Sequence, residues 1–147
     1  MVSGTGEVVA STTVTEGERP VRADDAFFWA AAADDRLVVQ GCSECGTLRH
    51  PPAPMCGHCG SLEWEAREAS GRGRIVSWIS SLHPNRPDDE PRIVVLVELE
   101  EGTRLVSNLV DPPHAGPYDD LPVVVEFRDD RGARTPFFRV AASEVGG

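Results

Sequence analysis

The chain has 147 residues with 24 acidic and 14 basic side chains, which gives a formal net charge of −10. All 14 basic residues are Arg, and Lys is absent. This balance argues against a nucleic-acid-binding protein, because such binding gains much of its free energy from basic side chains that release counterions from phosphates. The sequence contains no run of about 18 apolar residues, so no membrane-spanning helix is predicted. The N-terminus lacks the pattern of a signal peptide, so we expect a cytoplasmic protein with reduced thiols.

The first 35 residues divide into two predicted segments. Residues 1–20 are rich in Gly, Ser, Thr, Glu and Val without a period, and we interpret them as a flexible leader or the cut edge of a longer protein. Residues 21–35 contain a predicted helix over DDAFFWAAAAD, residues 24–34. Asp24 is the expected N-cap, Asp25 suits the positive end of the helix dipole, and the Ala run has high helix propensity.

Three consecutive aromatic residues, Phe27, Phe28 and Trp29, interrupt the amphipathic pattern of this helix. At about 100° per residue they spread over more than half of the helix circumference, so one core-facing stripe cannot hold all three. Either the helix is sandwiched within its own protein or one aromatic side meets a partner. We take these three residues as the candidate partner interface, since exposed aromatic patches usually mark contacts.

Residues 36–68 contain all four cysteines, within CSECGTLRHPPAPMCGHCG, and predict a zinc ribbon. The spacing is C-x2-C-x10-C-x2-C, and each pair is followed by a Gly that permits the positive φ of a tight turn. Short strands are expected at 37–40, 47–50 and 62–66. Two such turns brought together give a tetrahedral site of four sulfurs, as in structural zinc sites. The predicted ligands of a structural Zn²⁺ are Cys42, Cys45, Cys56 and Cys59.

Other uses of four cysteines fit this sequence less well. Disulfides are disfavoured in a reducing compartment, and a thioredoxin-type site needs one reactive pair at a helix N-terminus. Rubredoxin-type iron uses the same four-sulfur geometry and stays open. His50 and His58 lie near the pairs, but four thiolates already complete the coordination shell. A complete shell leaves no position for a catalytic water, so the expected role of the metal is structural.

Residues 69–142 change to a pattern of short strands separated by turns, and residues 143–147 form a predicted tail. Five strands are expected, at 73–82, 93–99, 104–110, 123–128 and 135–140. In the second, Ile93, Val95, Val97 and Leu99 alternate with polar or outward positions, which is typical of a sheet half in the core. The predicted fold class is therefore mainly β: an N-terminal helix, a zinc ribbon, and a five-stranded antiparallel OB-like barrel.

The sequence offers no catalytic constellation: it has no G-x-S-x-G, no phosphate loop and no H-E-x-x-H. Arg72 and Arg74 flank Gly73 and either bind a phosphate group or pair with the surplus of acidic groups. Trp78 on the first barrel strand either stacks on a ligand or packs in the core or an interface. His83 ends that strand and either contacts a ligand or packs locally.

Several stretches together resemble one known family: FFWAAAADDRLVVQGCSECGTLRHPPAPMCGHCG, LEWEAREASGRGRIVSWISSLH, PRIVVLVELEEGTRLVSNLV and TPFFRVA. They are similar to the acyl-CoA-associated family in which a rubredoxin-like zinc ribbon precedes an OB-fold, and the likeness covers about residues 22–140. One departure is DPPHAGPYDDLP, residues 111–122, which does not match the family pattern before the fourth barrel strand.

The resemblance implies a companion role. Proteins that this chain resembles are companion subunits of thiolase-fold enzymes. In one branch of the family, the similar domain lies at the C-terminal end of a hydratase subunit and pairs with a lipid-transfer-protein-like aldolase in steroid side-chain degradation. We therefore expect a non-catalytic subunit of an aldolase or acyltransferase complex acting on acyl-CoA. The resemblance also makes Arg72, Arg74, Trp78 and His83 the candidate residues for binding coenzyme A (CoA). The two arginines would clamp a CoA phosphate, Trp78 would stack on the adenine, and His83 would reach a CoA group or a partner's active site. The alternatives are an independent acyl-CoA-binding module and, less in keeping with the charge, a nucleic-acid-binding ribbon and OB protein.

Overall fold

The computed structural model describes residues 23–141 except 83, 86, 87 and 89. The predicted leader 1–20, the predicted tail 143–147 and His83 lie outside the described residues. The elements follow in chain order: α1 (Ala26–Ala32), β1 (Val38–Cys42), β2 (Leu48–Arg49), β3 (Trp64–Glu68), β4 (Arg72–Ser81), β5 (Arg92–Leu99), β6 (Arg104–Leu109), β7 (Pro122–Asp130) and β8 (Ala133–Val140). Over the described residues, the mainly β fold class with one short helix is confirmed.

Helix α1 is shorter than predicted and is capped differently. Its N-cap residue is Asp25, not Asp24, and Asp25 makes no side-chain cap hydrogen bond. Instead, the backbone carbonyl of Asp25 accepts the amides of Phe28 (3.0 Å) and Trp29 (3.3 Å). The helix ends where Asp35 adopts a positive φ of 57°, a conformation that Asp tolerates better than most side chains. The prediction that Asp24 caps the helix was therefore wrong.

The ribbon is a three-stranded antiparallel sheet in the order β2–β1–β3. The central strand β1 is buried at all five positions, because α1 and the barrel cover it. Gln40 pairs with Arg49 on one side and with Ala66 on the other. The third strand begins at Trp64, two residues later than the sequence indicated.

The second sheet closes into a barrel with the strand order β4–β5–β6–β8–β7. On β5 the predicted alternation is confirmed, since Val95, Val97 and Leu99 are buried and the residues between them are not. Gly73 on β4 permits a close approach of the strands, because a Cβ there would lie 2.4 Å from the backbone oxygen of Glu98. A register shift between Ile75 and Ser77 bends β4, as bulges do in small barrels.

The barrel closes along a seam that differs from the prediction of five antiparallel strands. β6 and β8 run parallel and form one residue pair, Leu109 with Phe138. The seam is held further by the hydrogen bond from the Val110 amide to the Phe138 carbonyl (2.8 Å) and by the Ser107 hydroxyl, which donates to the Pro136 carbonyl (2.9 Å). Pro136 has no N–H to donate, and Pro is tolerated where ladder pairing is sparse.

Helix, ribbon and barrel share one hydrophobic core. Phe28 from α1 and Leu37 and Val39 from the ribbon belong to the same buried cluster as Phe138 and Val140 of the barrel. The Ala69 amide donates to the Leu37 carbonyl (2.8 Å) where the chain passes from ribbon to barrel. In the part of the chain that the structure describes, no helix has the length and apolarity needed to cross a membrane.

Candidate metal centre

The two cysteine pairs form two turns of the same construction. In the first, the Gly46 amide donates to the Cys42 carbonyl at 2.9 Å, and in the second the Gly60 amide donates to the Cys56 carbonyl at the same distance. Both glycines have φ of 81°, and a side chain would be strained there. The predicted role of these glycines is confirmed.

The turns place four sulfurs around one point. The sulfur atoms of Cys42, Cys45, Cys56 and Cys59 all lie within 4.8 Å of one another. The Sγ–Sγ distances are 3.6 Å between Cys42 and Cys59 and 3.7 Å between Cys45 and Cys56. A tetrahedral zinc with Zn–S bonds near 2.3 Å requires sulfurs about 3.8 Å apart. The donor set therefore fits Zn²⁺ in geometry and in chemistry.

Backbone amides prepare the first cysteine of each pair as a thiolate. The Cys45 amide donates to the Cys42 sulfur (3.5 Å) and, with the Glu44 amide, lowers the pKa of Cys42 to about 6 against the effect of burial. The amides of Cys59 and His58 lower the pKa of Cys56 in the same way. For Cys59, the Ser61 amide lowers the pKa, but hydrogen bonding with Cys42 and burial raise it to about 12. Metal binding displaces the protons that remain on these thiols.

The segment between the two pairs is held by polar side chains of the ribbon sheet. The buried Gln40 accepts the Ala53 amide through its side-chain oxygen at 2.8 Å. Arg49 donates to the Ala53 carbonyl from Nε (3.2 Å) and Nη2 (3.0 Å). Both backbone groups of Ala53 are thus satisfied by side chains, so the distance between the two cysteine pairs is fixed by the sheet. The sequence analysis missed this role, although a lone Gln inside a buried strand is a usable signal.

The three helix aromatics divide between core and surface. Phe28 is 7 % exposed and packs against the His50 imidazole and Trp29, with ring centroids 5.2 and 5.0 Å apart. Its assignment to a partner interface is corrected, because its ring is enclosed by its own chain. Phe27 is half-buried and contacts Trp64 in a tilted arrangement, with ring centroids 4.7 Å apart and ring planes inclined by 52°. Trp64 itself is 39 % exposed, and the sequence analysis did not select it.

The two predicted CoA-binding arginines on β4 face acidic side chains. Arg74 donates to Asp120 at 2.7 Å and to Glu98 at 3.2 Å, and Arg72 lies 3.8 Å from Glu100. This is the acid-paired arrangement given above as the alternative to a phosphate clamp, and the clamp stays a prediction that no contact supports.

Trp78 is half-buried on the same strand. Its ring contacts Tyr118 edge to face at 4.8 Å, and its indole N–H donates to Asp119 at 3.3 Å. Asp119 and Tyr118 belong to the segment 111–122 that departs from the family pattern. That segment therefore packs against the barrel, while the proposed stacking of Trp78 on an adenine and the role of His83 stay predictions.

Family models match nearly the whole described chain. The ribbon matches "ChsH2, rubredoxin-like zinc ribbon domain" over residues 29–65, and the barrel matches "ChsH2, C-terminal OB-fold domain" over residues 66–128. A protein of Methanocaldococcus jannaschii named "DUF35 domain-containing scaffold protein" is 32% identical over 96 residues, which cover 63% of this chain and 67% of that protein. The chain belongs to the ChsH2/DUF35 family. The resemblance seen in the sequence is confirmed, as is a zinc ribbon followed by an OB-fold.

Two longer relatives carry hydratase names. The "Probable enoyl-CoA hydratase alpha subunit" of Thermomonospora curvata is 45% identical over 126 residues, covering 84% of this chain and 40% of that protein. The "3-oxo-4,17-pregnadiene-20-carboxyl-CoA hydratase alpha subunit" of Mycobacterium tuberculosis is 37% identical over 87 residues, covering 58% and 28%. The chain thus spans less than half the length of these two relatives.

A solved structure has the same fold at high sequence identity. It is described as "Ltp2-ChsH2(DUF35) aldolase", and the matched chain is 45% identical with a TM-score of 0.77, covering 85% of this chain and 100% of that chain. A Sulfolobus solfataricus protein from the DUF35 family, 14% identical with a TM-score of 0.57, shares the fold.

Proposed function

We propose that this chain is a non-catalytic companion domain that binds and supports a thiolase-fold, lipid-transfer-protein-like aldolase acting on an acyl-CoA. The observation that carries the proposal is the match, complete over the other chain, to the ChsH2 component of an aldolase structure. The name of the Mycobacterium tuberculosis relative supports a steroid side-chain CoA ester as the substrate class. In this proposal the partner aldolase, and not this chain, catalyses the cleavage of the carbon–carbon bond.

The metal centre supports a structural role for this domain. All four ligands come from the protein, so the coordination shell of a zinc ion is complete without water or substrate. Cys42 is the last residue of β1 and pairs with Trp64 of β3, so the four cysteines support the ribbon surface around Trp64. The four thiols need a reducing environment to stay available for the metal, which supports a cytoplasmic location.

We place the docking surface on Phe27 and Trp64 with the neighbouring Leu62. Phe27 and Trp64 form a tilted aromatic pair that bridges helix and ribbon, and Leu62 is 65 % exposed. Aromatic side chains at the centre of an interface contribute most of its binding free energy. This surface replaces the earlier choice of Phe28, whose ring lies in the core.

Co-expression with the Ltp2 aldolase tests the proposal. Wild-type chain should co-purify with Ltp2, and the double variant Phe27→Ala, Trp64→Ala should lose Ltp2 while keeping zinc and a single cooperative unfolding transition. The matched control is Ile79→Ala, Val106→Ala, which removes two exposed apolar side chains from the outer face of the barrel and should leave co-purification intact. Aldol cleavage of a steroid CoA ester should require Ltp2, and turnover by the lone chain would contradict a non-catalytic role.

A further inference from the structure

A cavity of about 400 Å³ lies between the barrel and the segment 111–122. Its volume is within the range of roughly 300–1,000 Å³ that is typical of small-molecule pockets. Strand β4 supplies Trp78 to its lining, β5 supplies Ile93, and the segment supplies His114 and Tyr118. Because this segment departs from the family pattern, the cavity is a feature of the chain that the shared ribbon and barrel do not explain.

The wall that the segment forms is fixed by its own contacts. Tyr118 is 2 % exposed, packs edge to face on Trp78, and donates from its hydroxyl to the His114 carbonyl. Gly116 has a φ of 112°, where a side chain is strained, and a Cβ there would lie 3.2 Å from Cη2 of Trp78. The close approach of the segment to this ring therefore depends on glycine. A wall that is formed before a ligand arrives lowers the entropy cost of binding.

His114 presents one hydrogen-bond donor whose orientation is set by the segment. Its Nδ1 accepts the Gly116 amide at 3.1 Å, and its ring stacks on Tyr118 with centroids 5.4 Å apart and planes inclined by 10°. Since a backbone amide only donates, Nδ1 is the unprotonated nitrogen and Nε2 carries the hydrogen. Among the described residues, no acceptor bonds to this Nε2, and the His114 side chain is exposed at the lining of the cavity.

The charges around the cavity select against anions. Glu90 is the acidic residue in its lining, and no Arg is among the lining residues that the structure describes. A phosphate or carboxylate group would meet this carboxylate without a basic partner, which is unfavourable. The indole N–H of Trp78 already donates to Asp119, so the Trp78 ring offers apolar surface, as do Pro91 and Ile93. The ligand that fits these groups is neutral and apolar, with one hydrogen-bond acceptor.

We propose that this cavity binds the fused-ring part of a neutral ketone, whose carbonyl oxygen accepts the hydrogen on Nε2 of His114. The rings lie against Trp78. Steroid rings belong to this chemical class, and their assignment to the cavity rests on the proposed function, in which the substrate is a steroid CoA ester. The phosphates of CoA are disfavoured here by the Glu90 carboxylate, so the CoA part of such a substrate binds elsewhere in the complex.

NMR of the zinc-loaded full chain tests the cavity without the partner. The probes are α-tetralone, a neutral fused-ring ketone, and tetralin, the same ring system without the carbonyl. Saturable shifts of the Trp78 indole and the His114 ring are expected for α-tetralone, while the Trp64 indole, which lies outside the cavity, should not shift. The proposal would be overturned by the absence of a saturable shift, by equal shifts at Trp64, or by displacement of α-tetralone by CoA.

Matched variants identify the groups responsible. His114→Phe keeps a flat ring but has no N–H, so it should weaken α-tetralone binding about fivefold and leave tetralin binding unchanged. His58→Phe makes the same substitution at an exposed imidazole outside the cavity and should change neither. Equal losses of both probes in His114→Phe would contradict the hydrogen bond. Each variant is checked for zinc content and a single unfolding transition.

A steric variant locates the probes even if His114→Phe does not fold. Ala115 is an exposed residue of the lining, and Ala115→Arg adds a long side chain there. Binding of α-tetralone and of tetralin should both be lost in this variant. Unchanged affinity for the two probes would show that they bind outside the cavity and would overturn the proposal.

A steroid probe and the partner separate this proposal from the companion role. Hydrocortisone, a neutral steroid ketone, should shift the same resonances and compete with α-tetralone; binding of α-tetralone alone would overturn the steroid assignment. If the wild-type chain binds Ltp2 but neither ketone, the cavity proposal is wrong and the companion role stands. If it binds both ketones but not Ltp2, the companion role is wrong, and only the link between the rings and the partner's substrate falls with it.

Discussion

Replacing Phe28 by Ala tests whether helix, ribbon and barrel form one folding unit. Phe28 is 7 % exposed and belongs to the buried cluster that includes Leu37 of the ribbon and Phe138 of the barrel. A buried Phe→Ala substitution costs about 3–5 kcal/mol, because it loses transfer free energy and leaves a cavity. For a chain of this size that corresponds to a decrease in Tm of about 10–15 °C.

The neighbouring residue provides the control. Phe27 is half-buried and its contact is the Trp64 ring, so Phe27→Ala should cost only about 0.5–1.5 kcal/mol. Two adjacent phenylalanines should thus give opposite phenotypes: the Phe28 variant loses stability, and the Phe27 variant weakens partner binding.

Urea unfolding with two probes makes the measurement. Far-UV circular dichroism follows the barrel, and zinc release to a colorimetric chelator follows the ribbon. The two transitions should coincide in the wild type and in Phe28→Ala, with the free energy of unfolding lowered in the variant. Separate transitions, or a loss below about 1 kcal/mol, would refute a shared core. If Phe28→Ala does not fold, Phe28→Leu should lose less than about 1.5 kcal/mol and still unfold in one transition.

Three further predictions address the metal, the imidazole and the close strand approach. Cys42→Ser should abolish binding of one zinc per chain, measured by elemental analysis; a coloured wild-type protein would instead indicate iron. Because burial lowers the pKa of His50, its contribution to stability is complete above pH 6.5 and is lost as the pH falls through its folded-state pKa; His50→Gln should flatten this part of the stability profile, and an unchanged profile would contradict the assignment. Gly73→Ala should destabilise the barrel by about 1–3 kcal/mol, since the added Cβ would meet Glu98 backbone at 2.4 Å. Gly57→Ala, with open space around it, should be neutral in the same thermal melt.

The metal site was predictable because its determinants are local. Two Cys-x2-Cys turns, each followed directly by Gly, determine the direction of the sulfurs within a few residues, and the structure repeats one turn geometry at both pairs. The strands of the barrel were likewise visible, since alternation on β5 reports which side chains face inward. Both features depend on short stretches of sequence and on elementary backbone geometry.

What the sequence did not reveal depends on residues far apart in the chain. Contacts with Trp64 and with the barrel core decide whether Phe27 or Phe28 faces outward. The periodicity of the helix sequence carries no information about these distant contacts. The parallel pair of Leu109 with Phe138 joins strands that hairpin rules alone do not bring together. The cavity between helix, ribbon and barrel combines Asp25, His50 and the β6–β8 seam, so no local pattern could have predicted it.

The family models divide this chain between residues 65 and 66, yet no boundary of that kind exists in its packing. Helix α1 contacts both β1 of the ribbon and β8 of the barrel, and the buried cluster contains residues of all three parts. Separating the chain at residue 65 would therefore expose apolar side chains on both halves. Chimaeras between members of the family should therefore fold when the ribbon and the barrel come from the same parent protein. A chimaera joined at residue 65 would need matching contacts at Phe28, Leu37 and Phe138 before either half is viable.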